Sequence, residues 1–116
     1  MIVADDPLAR AGIASLLVDQ AAVTVTGLAG GDGDLTAAVA AYAPDVLMWD
    51  LGWDAAGRID VLSRFCDDHA LPVVTLLGHP AGAVSVQAAG ARGLLSRATD
   101  GAQLAAAALA VGQGLL

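Results

Sequence analysis

The sequence predicts an α/β fold with a five-stranded parallel sheet, because short apolar segments of strand character alternate with helical segments along the chain. The clearest strand covers residues 45–50, where four apolar residues stand between Asp45 and Asp50. An apolar run of this length is typical of a strand buried on both faces. The 116 residues, 57% of them hydrophobic, suffice for one domain with a substantial core.

Capping and turn residues delimit five strand–helix units. Asp6 and Pro7 form a cap and first-turn pair for the first helix, and Asp34 and Asp100 stand where the second and fifth helices begin. The predicted strands are residues 2–4, 23–28, 45–50, 72–77 and 93–96. The four helices after the first are predicted at residues 35–43, 58–69, 81–89 and 101–111. Gly112 and Gly114 are expected to end the last helix. Short connections between such units predict a doubly wound sheet of order 2-1-3-4-5.

The composition and the distribution of charged and apolar residues argue against several classes of protein. All twelve acidic residues are Asp, all five basic residues are Arg, and the net charge is −7, which argues against direct nucleic-acid contact. No apolar run reaches the roughly 18 residues of a membrane span, and no signal peptide is visible. Cys66 is the single cysteine, which favours a reducing, cytoplasmic location.

Three carboxylates are expected to meet at one edge of the sheet. Asp5 and Asp6 end the first strand, and Asp50 ends the third, which is its neighbour in the predicted order. Carboxylates packed together repel unless they hold a proton or bind a cation, and oxygen ligands of this kind suit Mg²⁺. The alternative is that Asp6 only caps a helix and Asp50 is a solvated residue at a strand end.

The whole chain, residues 1–116, resembles the receiver domain of bacterial two-component response regulators, and in particular receivers that precede a LuxR-type helix-turn-helix. These domains have the flavodoxin-like, three-layer arrangement. The matching stretches are residues 3–7, 10–12, 44–51, 72–74, 90–93 and Gly112. The resemblance implies that Asp50 is the phosphoacceptor. It also implies a Mg²⁺ site in which Asp6 is a direct ligand, Asp5 supports it, and Asp50 and the carbonyl of Gly52 complete it.

The residues that the family uses as its switch are replaced here. Leu77 stands where the family has Thr or Ser, Leu94 where an aromatic residue is usual, and Arg97 where a lysine is expected. The nearest hydroxyl, on Thr75, lies two residues further into the strand, roughly 6–7 Å away. Trp53 and Asp54 replace the usual Met-Pro pair. These losses predict impaired or absent phosphorylation of Asp50, because phosphoryl transfer needs cations and donors around the phosphoryl oxygens.

Arg97 can instead form a bidentate ion pair with Asp50 and neutralise the acids without metal. Binding of Mg²⁺ would then be weak or absent. The alternative places Arg97 in solvent, with its aliphatic stem on the last helix. Trp53 is expected to be exposed above the acidic pocket.

The leading hypothesis is a non-enzymatic regulatory domain that acts through protein–protein contacts. Its homodimer surface would be residues 81–111, which carry few charges, and a DNA-binding output domain would follow residue 116. The first alternative is a conventional phosphorelay receiver that takes phosphate from a histidine kinase with Mg²⁺. The second is a small flavodoxin-like enzyme or nucleotide binder, although the chain has no phosphate-cradling loop.

Overall fold

The computed structural model describes residues 1–53 and 55–113 of the chain. Strands and helices alternate throughout this range, as predicted. The strands are β1 (Ile2–Ala4), β2 (Leu28–Ala29), β3 (Leu47–Asp50), β4 (Val73–Leu77) and β5 (Gly93–Ser96). The helices are α1 (Pro7–Leu17), α2 (Leu35–Tyr42), α3 (Ile59–Asp68), α4 (Ala83–Ala88) and α5 (Gly101–Gly112), with 3₁₀ helices at Ala56–Arg58 and Pro80–Gly82.

The sheet is parallel and has the order β2-β1-β3-β4-β5, which confirms the predicted flavodoxin-like topology. Ala4 on β1 is paired in register with Asp50 on β3. The carboxyl ends of these two neighbouring strands are therefore level. Asp5 and Asp6 leave the sheet at the same edge as Asp50, the position at which this topology places its ligand sites.

Two apolar layers cover the two faces of the sheet. On one face α1 and α5 pack against β1, β3 and β4, through residues that include Ile13, Leu104 and Met48. On the other face α2, α3 and α4 contribute Leu35, Leu62, Phe65 and Val86 to a core with Trp49. Alternate residues of each central strand face opposite layers, as the pleat of a strand requires. Both layers are buried, so the strands are apolar along their length.

The predicted caps are confirmed. The side chains of Asp6, Asp34 and Asp100 each accept a hydrogen bond from a backbone N–H in the first turn of the helix that follows, at 3.0, 3.0 and 2.8 Å. Pro7 occupies the first turn of α1. These residues set the start of their helices because they satisfy donors that have no partner within the helix.

The second strand was predicted to be longer than it is. It was expected over residues 23–28, whereas β2 contains only Leu28 and Ala29. Val23 and Val25 pack against the layer formed by α1 and α5. The β-branched pattern of this segment therefore gains burial without pairing in the sheet, a distinction that periodicity cannot make.

Other element boundaries also differ. Residues 80–82 form a 3₁₀ helix, so α4 is shorter than predicted, and Arg58 ends a 3₁₀ helix instead of starting α3. Asp54 and Gly114, for which a loop and a helix end were predicted, lie outside the described residues.

Candidate functional site

A cavity of about 540 Å³ opens at the carboxyl edge of the sheet. Its walls combine the three predicted acids with two arginines, and are formed by Asp5, Asp6, Asp50, Leu51, Gly52, Trp53, Gly57, Arg58 and Arg97. A cavity of about 580 Å³ lies at the opposite edge, beside Val46 and Pro72, and none of the predicted site residues line it. The carboxyl-edge cavity is therefore the candidate functional site.

Asp50 is the most deeply buried of the three acids in this cavity. Its side chain is only 3% exposed. The N–H of Gly52 donates to its Oδ1 at 3.2 Å. Arg97 contacts both carboxylate oxygens, with Nε 2.9 Å from Oδ1 and Nη2 3.1 Å from Oδ2. The bidentate pair predicted from the sequence is present, and it satisfies a carboxylate that burial would otherwise make costly.

Arg97 is held in place from two sides. Its backbone N–H donates to the carbonyl of Leu77 at 3.0 Å, immediately beyond the end of β5. Its guanidinium carbon lies 5.2 Å from the centre of the Trp53 ring, a distance at which a cation and an aromatic face attract each other. The Trp53 side chain is 68% exposed. It therefore covers Arg97 from the solvent side, in agreement with its predicted position above the pocket.

The other two acids have separate partners. Asp6 caps α1 through its contact with the N–H of Leu8. Asp5 accepts a hydrogen bond from the N–H of Gly31 at 2.8 Å and forms an ion pair with Arg58. Their hydrogen bonds and ion pair are made with groups other than Asp50. Among residues 1–53 and 55–113, no group of three or more His, Cys, Asp or Glu side chains could hold a metal ion.

Arg58 is a residue of this site that was not predicted from the sequence. The arginine lies at the end of the 3₁₀ helix after β3, and its Nη1 is 2.7 Å from Oδ1 of Asp32 while its Nη2 pairs with Asp5. The only signal in the sequence was scarcity, since the chain has five basic residues against twelve acids. The ratio of basic to acidic residues does not predict which acidic side chains a given arginine contacts.

Gly52 has a conformation that suits its place in the loop. Its φ is +70°, in the left-handed region that glycine adopts without a steric penalty. This turn brings its N–H to Asp50. The Gly52 carbonyl, predicted from the resemblance to be a metal ligand, accepts a hydrogen bond from the N–H of Gly78 at 3.2 Å. The backbone of the two loops is thus joined beside the cavity.

Of the three replaced switch residues, Arg97 lines the cavity but Leu77 and Leu94 do not. Leu77 is 6% exposed and belongs to the core beneath α3 and α4, and Leu94 packs against the same core. Thr75 is fully buried and donates its hydroxyl hydrogen to the carbonyl of Gly93 at 3.1 Å. Thr75 does not line the cavity either. Leu77, which stands where the family has Thr or Ser, thus contributes its side chain to the core.

Receiver domains of response regulators share this fold. The chain superimposes on the response regulator ChrA of a heme-sensing two-component system with a TM-score of 0.77 at 26% identity, covering 98% of this chain and 56% of that one. It superimposes on the signal receiver domain of the response regulator NarL from Mycobacterium tuberculosis with a TM-score of 0.78 at 26% identity, covering 97% and 94%. It superimposes on a LuxR-family two-component response regulator from Aurantimonas sp. SI85-9A1 with a TM-score of 0.76 at 26% identity. That match covers 98% of this chain and 84% of the other.

The fold and the acidic edge of the sheet therefore define a receiver-like domain. Its structural neighbours are receiver domains of two-component response regulators, including members of the LuxR family. The chain spans only 56% of the length of ChrA. No protein-family model and no curated protein matches the sequence. Within the described residues, no helix is long and apolar enough to cross a membrane.

Proposed function

We propose that this chain is the regulatory receiver of a response regulator in which phosphorylation of Asp50 is impaired or absent, and that it acts through protein–protein contacts. The observation that carries the proposal is the bidentate pair between Arg97 and Asp50, with N–O distances of 2.9 and 3.1 Å. Both oxygens of the proposed phosphoacceptor already have a cationic partner. Attack on a phosphodonor would require that pair to break first.

Among the described residues that line the cavity around Asp50, none carries a hydroxyl group. The Thr75 hydroxyl is bonded to Gly93, and Leu77 has no polar group in its side chain. Removing one preorganised donor from an enzyme site typically costs about 10²–10³ in rate. Arg97 carries positive charge, but its planar fork does not reproduce a compact ammonium group. Phosphoryl transfer to Asp50 would therefore be slow even with the ion pair open.

We extend the proposal to the assembly in which the domain works. A DNA-binding output domain after residue 116 is supported by the LuxR-family neighbour and by the partial coverage of ChrA. Dimerisation through residues 81–111 is supported by the composition of that surface, on which Val84 is 81% exposed. A signalling domain of this kind would work in the cytoplasm, and it would reach DNA through its output domain.

The test uses Mg²⁺ with beryllofluoride, which mimics a phosphoryl group on a carboxylate, and reads the fluorescence of Trp53. We expect no saturable change for the native chain or for Asp50→Asn. We expect a change for Arg97→Lys, because a lysine restores a compact cation and leaves Asp50 accessible. A saturable response of the native chain that Asp50→Asn abolishes would overturn the proposal.

That same outcome would support the second candidate, a conventional receiver phosphorylated on Asp50 by a histidine kinase with Mg²⁺. The observation in its favour is that Asp5, Asp6 and Asp50 line one cavity at the ends of adjacent strands. Mg²⁺ would be held by these carboxylates and the Gly52 carbonyl. Incubation with a small acyl phosphate, followed by mass measurement of the intact protein, gives an independent readout of phosphorylation.

A further inference from the structure

Arg58 joins three segments that are distant in sequence. Its guanidinium pairs with Asp5 at the end of β1 and, at 2.7 Å, with Asp32 in the loop before α2. Arg58 itself ends the 3₁₀ helix in the loop that follows β3. The side chains of Arg58 and Asp5 are about a third exposed, at 30% and 34%. The contact therefore lies at the rim of the cavity and is partly shielded from water.

The Asp5 carboxylate is fixed on its other side as well. Gly31 donates its N–H to Oδ1 of Asp5 at 2.8 Å. A Cβ on Gly31 would lie 2.8 Å from that same oxygen, which is closer than side-chain carbons approach. Glycine at residue 31 thus lets the backbone of the loop approach the Asp5 carboxylate this closely. Asp5 is held between this loop and Arg58.

Three of the four groups expected to bind a divalent ion already have partners in this arrangement. Both Asp50 oxygens contact Arg97, both Asp5 oxygens have donors, and the Gly52 carbonyl accepts from Gly78. Mg²⁺ needs near-octahedral oxygen ligands and holds its waters tightly. It would therefore have to displace two guanidinium groups, each paired with a carboxylate.

We propose that Arg58 and Arg97 together take the place of the divalent ion in this cavity, and that Arg58 forms a latch which keeps Mg²⁺ from Asp5. The latch closes the loop after β3 onto the loop before α2, through Asp5 and Asp32. Its charge opposes a divalent cation directly, and its Nη2 arm occupies Oδ2 of Asp5 while its Nη1 arm is held by Asp32. This inference rests on the proposed function only in one respect, namely that Asp50 is paired with Arg97 and is therefore not available to a metal ion.

The experiment measures divalent-ion affinity by calorimetric titration with MgCl₂ and by Mn²⁺ paramagnetic broadening of the Trp53 and Gly52 resonances. We expect Arg58→Gln to bind Mg²⁺ at least about tenfold more tightly than the native chain, because a full positive charge leaves the rim. The double variant Arg58→Gln/Arg97→Lys is expected to bind more tightly again. Arg64→Gln is the matched control, since it makes the same change at an exposed position of α3, and its affinity should equal the native value.

Thermal unfolding provides a second readout that does not depend on the cavity spectra. Addition of 10-fold more Mg²⁺ than its dissociation constant should raise the midpoint for Arg58→Gln, because ligand that binds only the folded state stabilises it. Arg58→Lys keeps the positive charge but loses the planar guanidinium, so its Mg²⁺ affinity should lie between those of Arg58→Gln and the native chain. This variant replaces Arg58→Gln in the test if the glutamine variant does not fold. Equal affinities for Arg58→Gln, Arg58→Lys, Arg64→Gln and the native chain would overturn the inference.

The two proposals can fail separately. Phosphorylation of native Asp50 would overturn the proposed function, whatever the effect of Arg58. Unchanged Mg²⁺ affinity in the Arg58 variants would overturn the latch, even if native Asp50 never accepts a phosphoryl group.

Discussion

Arg97 and Asp50 are 47 residues apart in the sequence and form a two-point contact in the fold, with Nε–Oδ1 and Nη2–Oδ2 distances of 2.9 and 3.1 Å. The side chain of Asp50 is 3% exposed, and that of Arg97 is 26% exposed. A carboxylate buried to this extent needs a partner. The pair therefore has a structural role as well as a bearing on phosphorylation.

Arg97→Gln should destabilise the domain by about 1–3 kcal/mol, because it leaves the buried Asp50 carboxylate without its cation. Asp50→Asn in the same chain should recover part of that loss, since the uncompensated charge is then gone. Urea unfolding of the two single variants and the double variant measures the coupling. Arg92→Gln, at an exposed position, is the control and should change stability by about 0.5 kcal/mol or less. Purely additive effects at Arg97 and Asp50 would contradict the pair.

Trp53 should account for the quenchable part of the fluorescence. It is 68% exposed, whereas Trp49 is 2% exposed, so acrylamide should quench one population and spare the other. Trp53→Phe is expected to leave only protected emission. Gly78→Ala should displace the indole, because a Cβ at residue 78 would lie 2.8 Å from Cζ3 of Trp53. Gly12→Ala meets nothing within 4 Å and should leave the quenching unchanged.

Val84→Asp should weaken dimerisation if residues 81–111 form the interface. Val84 is 81% exposed on α4, and a charge there would have to be buried on association. Sedimentation across a concentration series should show at least about a tenfold weaker dimer, which corresponds to roughly 1.4 kcal/mol. Val18→Asp is the matched control, since Val18 is 75% exposed but lies at the end of α1. Equal effects of the two substitutions would place the interface elsewhere.

Cys66 should make stability fall at alkaline pH. Burial, with a smaller contribution from Asp67, raises the pKa of its thiol above the ordinary value of 9.0. Between the two pKa values the folded chain keeps a proton that the unfolded chain has lost, so the free energy of unfolding decreases as pH rises through that window. Urea unfolding at pH 7.5 and about pH 10 measures the decrease. Cys66→Ala should show a smaller decrease, and an identical one would contradict the assignment.

Ala43→Gly should stabilise the domain by about 0.5–1 kcal/mol. Ala43 ends α2 with a φ of 45°, a left-handed conformation that costs a residue with a Cβ roughly 1–2 kcal/mol. Glycine removes that cost, which exceeds its own entropic penalty. Ala41→Gly, in the last turn of the same helix and also exposed, should instead destabilise by about 0.5–1 kcal/mol. Thermal unfolding distinguishes the two directions.

Much of the fold was predictable because its signals are local. Asp6, Asp34 and Asp100 cap their helices through bonds to residues two or three positions away. The apolar run before Asp50 identifies a buried strand regardless of its neighbours. The extent of β2 was not predictable in the same way. Val23 and Val25 have strand character, but only the packing of α1 and α5 decided that they would be partly buried without joining the sheet.

The sequence by itself determined the order of the strands, the caps, and the delivery of Asp5, Asp6 and Asp50 to one edge of the sheet. The tertiary structure decided between the two alternatives for Arg97, and it alone brought Arg58 to Asp5 and Asp32. Arg58 reaches Asp32 across 26 residues, and Arg97 reaches Asp50 across 47. Spacing along the chain carries no information about such contacts, since they depend on where two loops lie after the sheet has formed. The same dependence directed Leu77 into the core and Thr75 to Gly93.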